Sequence, residues 1–416
     1  MDEKIVSAIK NVPGARIIAL VLFLSLLGSG IGLYLYNKHA REKEKMNYIE
    51  YMNRQSREPA APAAVEERMN EAVFNLDTHR RMALSFFDQK QYAQAIRHFE
   101  LVVDPKDVIF VEENKDLCFM LADCYIETRQ TDKAIAYLNQ LEEVLKESPD
   151  VLSRLGKAWY YAGDKPKAAE IFRKGLKINP HHVACLVLLA RVYSDIDHTR
   201  PDIPQLFHKA IAADSGSIPA YYYFGVYQSN RGDYAHAIEN FSRALKINPF
   251  HSPSIAHMGI VYYYLHEYAK AKERYELALS INPSDYNTMY NLGELYFSAM
   301  NDPANAYICF NRTQELSPNH FLAVKKMGVI ALNNRNYKEA CRLLDRAANI
   351  RDRERVFQPD SLSFDTELVD VLILNATALE ALGRIDDAKE KLRAAIKEDP
   401  LNQIARHKLQ LLSRNG

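Results

Sequence analysis

Asp195, Asp197, His198 and Asp202 crowd into one short stretch, and carboxylate and imidazole groups at such close spacing are the raw material of a metal site. The stretch shows no recognised ligand spacing, however, and short polar side chains are what loops use to satisfy their own backbone. A solvated loop is the expected reading, and no metal is assigned. His181 and His182 follow Pro180 and read as turn residues. Cys118, Cys124, Cys185, Cys309 and Cys341 are odd in number and scattered, without disulfide or CxxC spacing, so they read as small packing residues. There is no nucleophile elbow, phosphate loop or HExxH pair. Asn311-Arg312-Thr313 and Asn375-Ala376-Thr377 match the glycosylation pattern but fall in predicted helices. No catalytic residue, cofactor or metal ligand is expected, and the chain is not read as an enzyme. With 53 basic against 53 acidic residues, it has no global field to attract nucleic acid.

The elements that position these residues follow a period. Residues 218–251 and 252–285 are two blocks of 34, and aligning them sets Gly225 over Gly259, Ala237 over Ala271, Phe241 over Tyr275, Ala244 over Ala278 and Pro249 over Pro283. Each block reads as helix, turn, helix. Small residues fall where two helix axes cross closely, and the Pro ends the unit because it cannot continue a helix. Extending the register gives nine blocks over 76–400, starting near 76, 115, 149, 183, 218, 252, 286, 321 and 369.

These residues resemble the tetratricopeptide repeat. The resemblance implies an all-α fold, a right-handed superhelical solenoid of about nine helix-turn-helix repeats, in which the first helix of each repeat lines a concave groove. Three departures stand out. The block at Val183 has Asp202 where Ala is expected, which predicts a short or displaced second helix. The block at Tyr286 needs one extra residue before Ala306 and Phe310 and has Thr313 in place of Ala. Arg351 to Thr366 is an insertion. Residues 401–416, with Leu401, Ile404, Ala405, Leu409 and Leu412 among basic residues, read as a capping helix.

Residues 1–16 form a short tail. Residues 17–36 (IIALVLFLSLLGSGIGLYLY) carry no charge and are long enough, at 1.5 Å per residue, to cross a bilayer of roughly 30 Å. A single transmembrane helix is expected, a cleaved signal peptide being the rival reading. Lys4, Lys10 and Arg16 before the span, against Lys38, Arg41, Lys43 and Lys45 after it, lean by one charge to cytoplasmic repeats; a periplasmic side fits a bacterial host. Gly28 and Gly32 form a GxxxG pair through which such a helix packs on another, making an oligomer through the membrane helix a further expectation. Residues 37–75 read as a charged, Ala/Pro-containing tether.

The resemblance places positions two, five, nine and twelve of each repeat in the groove. The candidate partner-binding residues are Tyr222, Val226, Ile260, Tyr263, Asn287, Tyr290, Glu294 and Phe297, an aromatic stripe suited to a peptide or helix of a protein partner. Packing between neighbouring repeats is the competing use for the same side chains. The family's carboxylate clamp is not reproduced, since the matching positions hold Arg80, Leu84, Phe119, Asp123, Ser153 and Lys157. The expected function is a membrane-anchored scaffold or adaptor. The alternatives are an architectural subunit of a membrane-bound machine (secretion, pilus or flagellar motor assembly) and a regulator of an envelope enzyme.

Overall fold

The computed structural model describes residues 62–356 and 365–414, and within them every regular element is helical. The chain divides between Pro180 and His181 into two compact units. The first holds α1 (Pro62–Asp88), α2 (Tyr92–Val102), α3 (Val108–Glu113), α4 (Lys115–Glu127), α5 (Thr131–Val144), α6 (Pro149–Tyr161) and α7 (Lys165–Ile178). The second begins with α8 (Val183–Ile196), α9 (Ile203–Ala213), α10 (Ile218–Asn230), α11 (Tyr234–Ile247), α12 (Ser252–Tyr264) and α13 (Tyr268–Ile281). It continues with α14 (Tyr286–Glu294), a π-turn (Leu295–Ala299), α15 (Pro303–Leu316), α16 (Phe321–Asn333), α17 (Tyr337–Val356), α18 (Thr366–Ala381), α19 (Ile385–Glu398) and α20 (Gln403–Arg414).

Every first helix but α8 ends in a turn that closes its last carbonyls and turns the chain back for pairing. After α16 the Arg335 amide donates to Leu332 O at 3.0 Å and the Asn336 amide to Ala331 O at 2.8 Å. This is the Schellman closure, and it needs one left-handed residue. Gly383 (φ 76°) serves after α18, but Arg335 (φ 60°) and His266 (φ 61°) occupy the same conformation at their own turns. Side chains cap the following helices: Asp164, Asp233 and Asp302 accept from amides of α7, α11 and α15. His182, expected as a turn residue, is the N-cap of α8, its ring nitrogen accepting from the Cys185 amide.

The two helices of a pair touch through a small residue and a ring. A Cβ on Gly225 would lie 2.7 Å from Phe241, one on Gly259 2.6 Å from Tyr275, and one on Gly293 2.7 Å from Phe310. Behind each ring sits an alanine, and Ala237, Ala271 and Ala306 are wholly buried, as are Phe241 and Phe310. The five cysteines are buried thiols in the same packing, and burial pushes Cys118 and Cys309 up to about 11.

The irregular blocks have distinct solutions. The extra residue in 286–320 is taken up by the π-turn, where the Met300 amide reaches five residues back to Leu295 O at 3.0 Å. That restores the register, so Phe310 still meets Gly293. Thr313 is fully buried and returns its hydroxyl to Cys309 O at 2.9 Å. α9 has 11 residues where α11 has 14. α17 runs on to Val356, so the expected insertion begins as helix; its remainder, residues 357–364, lies outside the described residues.

Two expectations change. Helix α1 begins at Pro62, inside the stretch read as tether, because a proline at the first helical position gives up only an amide that has no intrahelical partner. The reading as a single-pass membrane protein is overturned: no helix among the described residues is long and apolar enough to cross a membrane. Even the longest, α1 at 27 residues, is interrupted by Glu66, Glu67, Arg68, Asp77, Arg80 and Arg81. Residues 17–36, with Gly28 and Gly32, lie outside the described residues.

Gly259→Leu should force the Tyr275 ring out of its seat and destabilise the protein by ~1–3 kcal/mol, the usual cost of overpacking. An unchanged urea midpoint would show that the ring does not depend on this gap. At the turns, Arg335→Gly should raise stability slightly while Gly383→Ala lowers it by ~1 kcal/mol, because only the first relieves a left-handed L-residue. Urea midpoints moving in the same direction for both would reject that account.

Candidate partner-binding face

The first helices of the second unit follow one another at near-constant spacing, so a side chain nine places into one helix comes against the side chain six places into the next. Arg191 Nη1 donates to Tyr223 Oη at 2.9 Å, its guanidinium 4.8 Å from the ring centroid. Lys326 Nζ donates to Glu294 Oε2 at 3.0 Å and stands 5.2 Å from the Phe297 ring. Lys325 reaches forward to Glu367 at 2.6 Å. The first unit repeats the rule with Arg154 Nε at 3.2 Å from both Asp123 oxygens, beside a Lys157–Glu127 pair at 2.8 Å. Two of the positions that a carboxylate clamp would need, Asp123 and Lys157, are therefore already engaged with neighbouring helices.

The expected groove residues fall into two groups. Tyr222 is half-buried, its ring 5.2 Å from His257 and 5.4 Å from His251, with Phe241 beneath it at 6.2 Å. Tyr290 lies 5.5 Å from Phe310 and 4.9 Å from His320. Both rings thus rest on the second-helix ring that seats against the glycine of their own repeat. Tyr263 is half-buried against Tyr264 and Tyr268 at 5.8 and 5.9 Å. Val226 and Ile260 are half-buried beside the same clusters. Asn287 is exposed, and Glu294 keeps one oxygen, Oε1, buried without a hydrogen-bond partner.

Burial sets the electrostatics. Desolvation raises the phenols of Tyr222 and Tyr290 well above their usual range, the Tyr223 hydroxyl adding to the first and Glu294 to the second. Desolvation lowers His251 and His257, so both imidazoles favour the neutral form, with Asp285 opposing at His257. The face presents neutral aromatic and hydrogen-bonding groups beside the ion pairs Lys326–Glu294 and Lys325–Glu367.

Sequence reasoning missed Tyr223, His257 and Lys326, all six places into their helices. The available signal was opposite polarity between position nine of one block and position six of the next. The cluster first considered for a metal is spent otherwise. Asp197 accepts from the Thr199 amide and hydroxyl at 2.9 and 2.6 Å, and Asp202 takes a two-point contact from Arg200. Among the described residues no grouping of three or more His, Cys, Asp or Glu could hold a metal ion.

Comparison with known proteins agrees with this geometry. Four models described as tetratricopeptide repeat match residues 86–157, 149–182, 373–409, and 218–251 with 286–320. RNA polymerase-associated protein CTR9 of Saccharomyces cerevisiae is 27% identical over 147 residues, which is 34% of this chain and only 12% of the length of that protein. MamA, a solved structure, is 27% identical with a TM-score of 0.33, over 39% of this chain and 95% of its own. The human IFIT1 dimer with PPP-AAAA superposes with a TM-score of 0.52 at 14% identity, over 80% of this chain and 85% of that one, a likeness of fold. Helix pairs closed by a left-handed turn, a small residue seated against a ring, and matches of one description in both units make this chain a member of the tetratricopeptide repeat family.

Proposed function

We propose that the protein is a scaffold that holds a partner protein through the first-helix groove of its second unit, taking a peptide or helix of that partner. The observation that carries this reading is the run of half-buried aromatic and aliphatic side chains on three successive first helices: Tyr222, Val226, Ile260, Tyr263, Tyr290 and Phe297. Aromatic side chains offer large contact area at small entropic cost, and tyrosine adds a hydrogen-bonding tip. Since Glu294, Lys325 and Lys326 are engaged in ion pairs within the protein, the partner is recognised mainly by apolar surface and hydrogen bonds. The exposed amide of Asn287 is the polar anchor. Scaffolds of this family are typically non-enzymatic.

A second reading, an architectural subunit packed between neighbours through its second helices, is favoured by Ile308, 65% exposed on α15, and Leu277, 40% exposed on α13. Changing Tyr222, Tyr263 and Tyr290 to Ala together should abolish capture of the co-purified partner, since buried aromatic anchors contribute ~2 kcal/mol or more each. Leu277→Asp with Ile308→Asp should leave it intact. The reverse pattern, in variants whose helical circular dichroism is unchanged, would reject groove capture in favour of the architectural role.

The same face predicts a pH dependence. Unfolded histidine titrates near 6.5. His251 and His257 titrate lower when folded, so on acidification the unfolded chain binds protons first and stability falls as pH drops below about 6.5. His236, raised by its hydrogen bond to Asp233, contributes with the opposite sign. His257→Gln should flatten the decline in melting temperature between pH 7.5 and 5.5; an unaltered slope would remove His257 from the account.

A further inference from the structure

The second unit holds a recess among α9, α10 and α11 that is lined by none of the candidate groove residues. In the regular repeats the second helix starts directly after the left-handed turn, as α11 does at Tyr234. α9 starts only at Ile203, and the loop 197–202 replaces its missing first turn. That loop folds onto itself, with the Arg200 guanidinium 3.8 Å from the Tyr193 ring centroid and paired to Asp202. A cleft of about 770 Å³ is left between the loop and α9 on one side and α10 and α11 on the other. Its size is that of a ligand site, roughly 300–1,000 Å³.

The lining includes Tyr221, Phe224 and Tyr227, each 6% exposed, so a small part of each ring reaches the cleft. Pro201, Pro204 and Ile211 add an apolar wall. Tyr221, Glu239 and Arg243 continue the cleft into a shallower one of about 340 Å³ that ends at Lys246 and Ile247. Along this path stand Arg200, Arg231, Arg243 and Lys246 against Asp202, which pairs with Arg200, and Asp233 and Glu239, four cations to three carboxylates, in a chain whose net charge is zero. The other two carboxylates also have internal work, Asp233 at the cap of α11 and with His236, Glu239 with Arg243. A guanidinium carries five N–H donors. Arg231 gives one to His198 O at 2.9 Å, and Arg243 gives two to Glu239.

We propose that this cleft is a second binding site, for an extended acidic peptide segment of a partner protein. The segment lays an aromatic or large aliphatic side chain over Phe224 and Tyr227 and sets carboxylates on Arg231 and Arg243, which can receive them in two-point contacts. A uniformly charged polyanion fits less well, because Asp233 and Glu239 stand within the same lining while a peptide alternates charge with apolar groups.

Fluorescein-labelled ten-residue peptides alternating Glu or Asp with Leu and Trp test this by anisotropy on the full chain. Controls are the same peptides with Lys in place of the acids, and a single-stranded RNA of equal charge. The acidic peptides should bind and the Lys versions should not. Arg231→Glu with Arg243→Glu should weaken binding at least about tenfold, as expected for lost charge-assisted hydrogen bonds. Arg231→Gln with Arg243→Gln reads the same loss should charge reversal disturb the fold. The Tyr222, Tyr263 and Tyr290 triple variant should bind the acidic peptides unchanged, which separates this site from the first-helix groove. The proposal is overturned if no acidic peptide binds, if the Lys peptides bind equally, if both arginine double variants keep full affinity, if the triple variant loses the peptide, or if the RNA binds there in preference.

Discussion

The constraint on which this structure depends is the close approach of two helices at a residue with little or no side chain. In 218–251, 252–285 and 286–320 a ring from the second helix lies where the Cβ of a first-helix glycine would be. The ring is held from behind by an alanine that is itself wholly buried. Since each helix pair is fixed by this seat, and each buries its remaining apolar face on the next pair, stability arises from nearest neighbours along the array. The groove inherits its geometry from the same contact. Tyr222 and Tyr290 rest on Phe241 and Phe310, the rings seated against Gly225 and Gly293. Each of these first-helix tyrosines is thus supported by the ring that spaces the helices.

This dependence explains how the array treats departures from its period. An inserted residue would carry Phe310 away from Gly293 if the helix continued in α-geometry. The π-turn at Leu295–Ala299 absorbs it and hands the chain to α15 with the seat restored. The block at Val183 departs differently. Phe207 remains wholly buried and stacks on Phe224 at 5.1 Å, while the first turn of the second helix is given up to a loop. One departure is repaired within a helix; the other opens a cleft on the surface.

Much of this was legible in the sequence, because a repeat announces its small residues, its rings and its closing prolines at fixed offsets. The extra residue in 286–320 was visible, and so was the weak second helix after Asp202. Where the extra residue would be absorbed was not, because a π-turn and a lengthened loop leave the same trace in spacing. The face itself was half legible. Position counting proposes Tyr222, Tyr263 and Tyr290, but the pairing of Glu294 with Lys326 and of Arg191 with Tyr223 joins residues about one period apart, and only the stacking of one repeat on the next reveals it. The expected membrane span, residues 17–36, lies outside the described residues. Apolar length is judged on a segment alone, whereas the described helices divide their apolar residues between an inner seat and a charged outer face, and none of them spans a membrane.

The two surfaces of the second unit differ in how completely they satisfy themselves. On the first-helix face, Lys326 pairs with Glu294, Lys325 with Glu367, and Arg191 donates to the Tyr223 hydroxyl, which leaves aromatic area and an exposed amide. Such a surface discriminates by shape and hydrogen bonding, and salt should affect it little. Elsewhere the missing turn of α9 breaks the regular order, and arginines with donors to spare line the cleft that results. A surface of that kind responds to charge and to salt. Regularity of the repeat therefore favours one mode of recognition and its interruption favours another, and both follow from whether the local spacing lets neighbouring helices consume their own polar groups.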